Sequence, residues 1–396
     1  MRKVLIWDKS LTLKDAGGPS GYLYNLKEYL KDNPCNQITF YSDVHPNIDK
    51  KIQGTEYKSF KQWFKNTSIG KIISYLGWFY YQRIPLTNED LDLLSKFDYV
   101  HIHLVSVFLR SFRDYTGPAK IILTSHMPEP CVDEVMSICG YPNLLKHIPF
   151  LRNMFIRKEI KAYEAAYKIM FPVKTATEVY TENSFLYKEA FKKLGEKMFF
   201  VPTSIINSFD IKVDQSLLKD DGIPAENLRV CFIGRHNHVK GYDSLKRIAV
   251  ECWKSIPQTT FVIGGKEEPL KGLVDYRWVE KGWVKTQSLL NEIDVFILPN
   301  KDTYFDLILL EVLRQGVPCI ISRTGGNKHF EGVIPEGIRL YDYDNVNDAV
   351  KQIEYFRRAK LSDNLDNIRS KIKEYFKQNY TPGVYVSNYL KAIESF

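Results

Sequence analysis

The chain has 396 residues, long enough for two domains with sizeable cores. Hydrophobic residues make up 44% and charged residues 26%, an ordinary balance for a soluble globular protein. The net charge of +8 fits an anionic substrate, a nucleic acid or a membrane surface without choosing among them. The six cysteines form no CxxC pair, which argues against a zinc site or a disulfide framework. No apolar run is long enough to span a bilayer, and the opening MRKVLIWDKS reads as a first strand, too short for a signal peptide.

KVLIW is the first predicted strand, and DAGGPSG follows it as a loop from Asp15 to Gly21. A helix starts near Ser20 and runs through Leu30. Gly17 and Gly18, adjacent at its N-terminus, would let backbone amides approach a phosphate; a tight turn without a ligand is the alternative. QITFYSD is a second strand. The stretch Tyr57 to Arg83 is rich in Lys and aromatics and contains no Asp or Glu. Lys58, Lys61, Lys65 and Lys71 could meet lipid phosphates, while Trp63, Phe64, Trp78 and Phe79 sit at the headgroup boundary. Ordinary packed helices with snorkelling lysines, or stacking on single-stranded nucleic acid, stand beside that reading.

YVHIHLV places His101 and His103 on one face of a strand, with no third metal ligand in reach by sequence. They read as a satisfied histidine pair at a cleft edge. AKIILTSHMPEP is the next strand, and His126 stands at its carboxyl end, where parallel sheets present residues to ligands. Residues Asn143 to Lys168 form one or two basic helices. KIMFPVK and Met198 to Phe209 are further strands, the second leading into a linker near Thr203 to Ser216.

LRVCFIGRHNHVKGYDSL reads as strand, glycine turn and helix, with Arg235 and Lys240 flanking the turn after Gly234. A nucleotide diphosphate needs such cations, Arg as a planar fork and Lys as a point charge; solvated loop charges are the alternative. TTFVIGGKE and WVEKGWV are strands ending at glycines. DVFILP is a buried strand, Asn300 to Thr303 supply turn and cap chemistry, and a helix runs from Phe305 to Arg314 until Gly316 and Pro318 stop it. The amides at the start of that helix favour an anion. Glu311, read as two turns in, could accept both hydroxyls of a ribose or be one solvated helix residue. VPCIIS is the next strand, with Thr324-Gly325-Gly326 after it. A helix from Val346 to Lys360 and an aromatic-rich closing helix from Pro382 to Phe396 follow. Alternating strands and helices imply α/β domains with parallel sheets.

The stretch from Asp294 to Phe330, with Glu311 and Gly316-Val317-Pro318, resembles the signature of family 4 glycosyltransferases, and Gly234-Arg235 with Lys240-Gly241 resembles their Gly-Arg…Lys-Gly motif. The first Glu of the signature is Thr303 here, beside Asp302, and Asp306 replaces the usual Gly. The resemblance implies a retaining enzyme of GT-B fold, with two Rossmann-like domains facing a cleft. Residues 1–205 would form the acceptor domain, joined by a crossing helix at 380–396, and residues 206–379 the donor domain. Arg235 and Lys240 would neutralise the diphosphate, helped by the amides of Leu307 and Ile308, and Glu311 would hold the ribose. Gly17, Gly18, Gly234, Trp283, Val284, Thr303 and Phe305 complete the implied donor site, and His126 lies beside the sugar.

The implied donor is a nucleotide-diphosphate sugar, UDP-linked most readily, used without a metal or other cofactor. The acceptor would be a saccharide or polyprenyl-diphosphate-linked glycan, met by a cytoplasmic enzyme on the anionic inner face of the cell membrane during polysaccharide synthesis. Nucleic acid is not an expected partner. A catalytically degenerate nucleotide-sugar-binding or interaction protein of the same fold and a nucleotide-sugar epimerase are the alternatives.

Overall fold

The computed structural model describes residues 1–9, 11, 13, 18–45, 67–127, 129–141, 143–206, 223–266, 268–283 and 285–396. Two compact units emerge: Met1–Pro202 with Val386–Phe396, and Thr203–Tyr385.

The first unit holds six parallel strands: β1 (Val4–Trp7), β2 (Ile38–Phe40), β3 (Tyr99–Ile102), β4 (Lys120–Thr124), β5 (Lys168–Phe171) and β6 (Met198–Phe200), in the order β2-β1-β3-β4-β5-β6. β1 pairs on one side with β2 (Val4 opposite Ile38) and on the other with β3 (Val4 opposite Tyr99). Every residue of β1 and β3 is buried, as strands covered on both faces require. The order reverses direction between β1 and β3, so the carboxyl ends of these two strands form a topological switch point, the usual ligand position in such sheets.

The second unit holds β7 (Leu228–Ile233), β8 (Thr259–Gly264), β9 (Trp278–Gly282), β10 (Val295–Leu298), β11 (Cys319–Ser322) and β12 (Ile338–Tyr341), in the order β12-β11-β10-β7-β8-β9. All pairs are parallel, and the switch point falls between β7 and β10, where Val230 lies opposite Val295.

Several predicted elements change extent. The strand at QITFYSD stops at Phe40, and Tyr41–Val44 is a helical turn. Asp8 causes this: its carboxylate accepts from the Ser42 amide at 2.9 Å and from the Ser42 hydroxyl, drawing the chain out of the ladder. The strand predicted from Met198 ends at Phe200; its residues Asn207, Ser208 and Phe209 lie outside the described set. The basic segment opens with a short turn at Leu145–His147, and its helix runs from Pro149 to Ala165. A helix at Leu365–Asn379 was not anticipated.

Of the basic aromatic stretch, Lys58, Lys61, Trp63, Phe64 and Lys65 lie outside the described residues. Its remainder forms the helix Ser68–Tyr80, capped by Thr67, whose hydroxyl accepts from the Gly70 amide at 3.0 Å. Lys71 is exposed. Phe79 is only 7% exposed and so sits in the core, which corrects its placement at a headgroup boundary. Trp78 is partly exposed, with the Arg110 guanidinium 4.2 Å from its ring centre. The large apolar side chains exposed on this helix are Ile69, Ile73, Tyr75 and Trp78. No described helix is long and apolar enough to cross a membrane.

Candidate functional site

In the second unit the loops after β7 and β10 are locked together. Gly241, which precedes the helix Tyr242–Ser255, has φ 67°, and a Cβ there would lie 1.6 Å from the Pro299 carbonyl oxygen. Only glycine allows this approach. The Lys301 amide donates to the Val239 carbonyl at 2.9 Å, and the Lys240 amide donates to Asn237 Oδ1 at 2.9 Å.

The loop after β10 is braced from below by the end of β11. Ser322 and Thr324 hydroxyls donate to the Asn300 carbonyl at 2.6 and 3.1 Å, and the Gly326 amide donates to the Thr303 carbonyl at 3.0 Å. A Cβ on Gly326 would meet the Tyr304 carbonyl oxygen at 1.9 Å. The Thr-Gly-Gly turn thus fixes the height of the 300–306 loop.

On this frame Lys240 Nζ pairs with Asp306 Oδ1 at 2.8 Å, each side chain being 20% exposed. The other Asp306 oxygen accepts from Asn300 Nδ2 and, at 3.2 Å, from Thr303 Oγ1. Asp306 immediately precedes the helix Leu307–Gln315 but makes no capping bond with its side chain. The carboxylate that would ordinarily cap the helix is turned toward Lys240. The helix start therefore keeps its partial positive charge for another anion.

Arg235 is exposed at the carboxyl end of β7, next to Gly234. Glu311 is half-buried and is the fifth residue of its helix, so it lies in the second turn rather than two turns in. Thr303 is buried and its hydroxyl serves Asp306. The Phe305 ring is buried against Phe330, so only its backbone is left to offer. Trp283 is 91% exposed, and Val284 lies outside the described residues. The Lys240–Asp306–Asn300 cluster was not anticipated; the signal for it was Asp306 at a position where the resembling motif has glycine.

In the first unit His101 and His103 are fully buried rather than at an edge. His101 bonds Tyr389 Oη through Nδ1 at 2.9 Å and Thr124 Oγ1 through Nε2 at 2.7 Å. His103 Nδ1 lies 3.0 Å from His126 Nε2. The Tyr22 ring packs on both His103 and His126, with centroids at 5.7 and 5.3 Å. Burial depresses all three imidazoles, His126 to about 3 and the other two well below their ordinary value. They are neutral at pH 7, and one N–H lies between His103 and His126. His126 is thus a positioned neutral imidazole. Although a third histidine does come within reach of the pair, no group of side chains able to hold a metal is found among the described residues. Gly18 opens the helix Gly18–Asp32 with φ 79°; Gly17 lies outside the described residues.

Two parallel α/β units of this order define the GT-B fold. Solved structures share it over the whole chain. Sucrose-phosphate synthase from Thermosynechococcus elongatus aligns with a TM-score of 0.63 at 15% identity, covering 100% of this chain and 99% of that one. The catalytic domain of starch synthase IV from Arabidopsis thaliana, bound to ADP and acarbose, gives 0.61 at 11% identity over 98% of both chains. The Anabaena protein HepE in complex with UDP gives 0.59 at 12% over 100% of both.

Within that fold, residues 227–356 match the model for glycosyl transferases group 1. A Klebsiella pneumoniae relative, described as an uncharacterized 41.2 kDa protein in cps region, is 25% identical over 139 residues. The match covers 33% of this chain and 37% of the relative, so it spans well under half of either.

Proposed function

We propose that the protein is a retaining glycosyltransferase that moves a sugar from a nucleotide-diphosphate sugar to a glycan or lipid-linked saccharide. One observation carries this reading: Arg235, Lys240 and the uncapped start of the helix Leu307–Gln315 stand on loops that meet at the β7–β10 switch point. The family match of residues 227–356 supports it, as does the fold shared with HepE, which was solved with UDP.

In this reading the second unit holds the donor. Arg235, Lys240 and the amides of Leu307 and Ile308 stabilise the diphosphate as charge develops on it in the transition state. Glu311 receives the ribose hydroxyls. These groups supply the positive charge that a metal would otherwise bring, so transfer proceeds without one. Attack on the same face as departure, with the leaving phosphate taking the acceptor proton, accounts for retention. His126, neutral and held by His103, offers a hydrogen bond on the first unit without adding charge. A UDP-sugar is the proposed donor.

We place the acceptor on the first unit and the enzyme at the cytoplasmic face of the membrane, in polysaccharide synthesis. Ile69, Ile73 and Lys71, turned outward on one helix, supply an apolar and basic surface for docking there.

A second reading is favoured by one observation. Thr303 stands where the resembling motif has Glu, and Asp306 already occupies Lys240. A protein that binds a nucleotide sugar without transferring it would fit this arrangement, and an epimerase would act on the donor alone. The deciding experiment incubates purified protein with a panel of nucleotide sugars and saccharide acceptors, with and without chelator. Sugar transfer or slow donor hydrolysis supports the transferase. Nucleotide-sugar binding with neither reaction supports the binding protein, and an isomerised donor the epimerase. Activity that vanishes in chelator and returns with magnesium or manganese would overturn the metal-free mechanism.

A further inference from the structure

Arg110 is 6% exposed, yet it has no carboxylate partner among the described residues. Its Nε makes no hydrogen bond, and the contact its guanidinium does make is with the Trp78 ring. The other buried charges of the first unit are all answered. Asp133 pairs with Arg152 at 2.6 Å, Asp90 with Lys9 at 2.7 Å, and Glu129 accepts from Ser137 at 2.7 Å. Glu159 accepts from Tyr80, Tyr187 and the amides of Cys131 and Val132. A charge removed from water is ordinarily paired, because desolvation without a partner is unfavourable. The Trp78 ring covers one face of the guanidinium and leaves its edge donors to be satisfied.

Ser106 precedes Arg110 by four residues on the same run of helix, Val105–Val107 continued by the wide turn Phe108–Phe112. That spacing puts the two side chains on one face. Ser106 is 1% exposed and its hydroxyl is also without a partner. The helix leaves the carboxyl end of β3, one of the two strands at the switch point of the first sheet. Wide helical turns of this kind are frequent at functional sites.

We propose that Arg110 and Ser106 form an oxyanion subsite for the carboxylate or phosphate group of an acidic saccharide. The guanidinium edge and the hydroxyl are the donors, and the exposed part of the Trp78 ring meets the apolar face of the sugar. Assigning that saccharide as the acceptor rests on the transferase reading above; binding at the subsite does not.

The test uses the full chain carrying Arg235→Gln and Lys240→Gln, so that the donor cradle does not report, with and without Arg110→Gln. D-glucuronate, D-glucose 6-phosphate and D-glucose are titrated at constant ionic strength by calorimetry or NMR. At least one acidic sugar should bind, glucose should not, and Arg110→Gln should weaken the acidic sugar at least tenfold. Ser106→Ala should weaken it about threefold, as loss of one neutral donor implies. Preference for glucuronate assigns a carboxylate, and preference for glucose 6-phosphate assigns a phosphate. Should Arg110→Gln not fold, Arg110→Lys replaces it, and loss of affinity with the charge retained identifies the planar fork as the binding element. Equal binding with and without Arg110, or binding of neither acidic sugar, overturns the proposal. A binding subsite in a protein that transfers no sugar would leave the subsite standing and remove the transferase.

Discussion

The two units share a topology but line their switch points with opposite chemistry. At the β7–β10 junction the groups are ions: exposed Arg235, and the Lys240–Asp306 pair at partial exposure. At the carboxyl ends of β3 and β4 they are imidazoles that burial keeps neutral, His101, His103 and His126. One junction presents charge to solvent, and the other holds a shape with directional hydrogen bonds. The difference comes from solvent access and loop packing rather than strand order, because both sheets are parallel with a single reversal.

The largest effect that would break this contrast is loss of the loop packing itself. Gly241→Ala forces a side chain into the Pro299 carbonyl at a left-handed φ. It should destabilise the second unit by on the order of 4 kcal/mol, read by urea denaturation. A variant of near wild-type stability would show that the two loops are not locked.

Next in size is removal of the charge. Lys240→Met should raise the barrier to sugar transfer by ~2–4 kcal/mol with folding intact, as for other stabilisers of developing charge. Unchanged steady-state rates would exclude Lys240 from the diphosphate site.

The neutral region is sharpened through pH. Glu159 is buried between Tyr80, Tyr187 and the amides of Cys131 and Val132, and burial raises its pKa to about 7. Its folded pKa is above the unfolded one, so its contribution is present below about 4.5 and is lost as pH rises through about 7. The depressed histidines act oppositely, losing stability as pH falls below about 6.5. The two trends offset each other between those values. Glu159→Gln should remove one of them, so that stability rises with pH relative to the wild type by ~3 kcal/mol between pH 4.5 and 8. Parallel pH–stability curves from chemical denaturation would contradict the buried-carboxyl account. The substitution also places an amide before backbone donors, so an overall loss of stability accompanies the change in slope.

The smallest effect returns to the ionic region. In the transferase reading Asp306 competes with a phosphate for Lys240, so Asp306→Asn should tighten UDP binding by ~1 kcal/mol, about fivefold, in calorimetry. Weaker binding would mean that Asp306 positions Lys240 instead of competing for it.

Much of this was legible in the chain. Buried strands such as VLIW and VFIL announce themselves because a run of apolar residues bounded by turn residues has few other uses. The Gly-Arg…Lys-Gly stretch marked the loop after β7, and Gly-Val-Pro the end of the helix Leu307–Gln315, because glycine and cation spacing is set locally. Extents were less legible where a distant side chain decided them. Asp8 ends β2 at Phe40 from 34 residues away, and Phe79 looks amphipathic until its neighbours bury it.

The sequence by itself determined two α/β units and which loops carry cations, since periodicity and turn chemistry act over a few residues. Only the tertiary structure decided that Lys240 meets Asp306, 66 residues away, that His103 holds His126, and that Arg110 is buried without an acid among the described residues. Those are contacts and burials between distant segments. Their energies depend on the exclusion of water, which no local pattern of residues specifies.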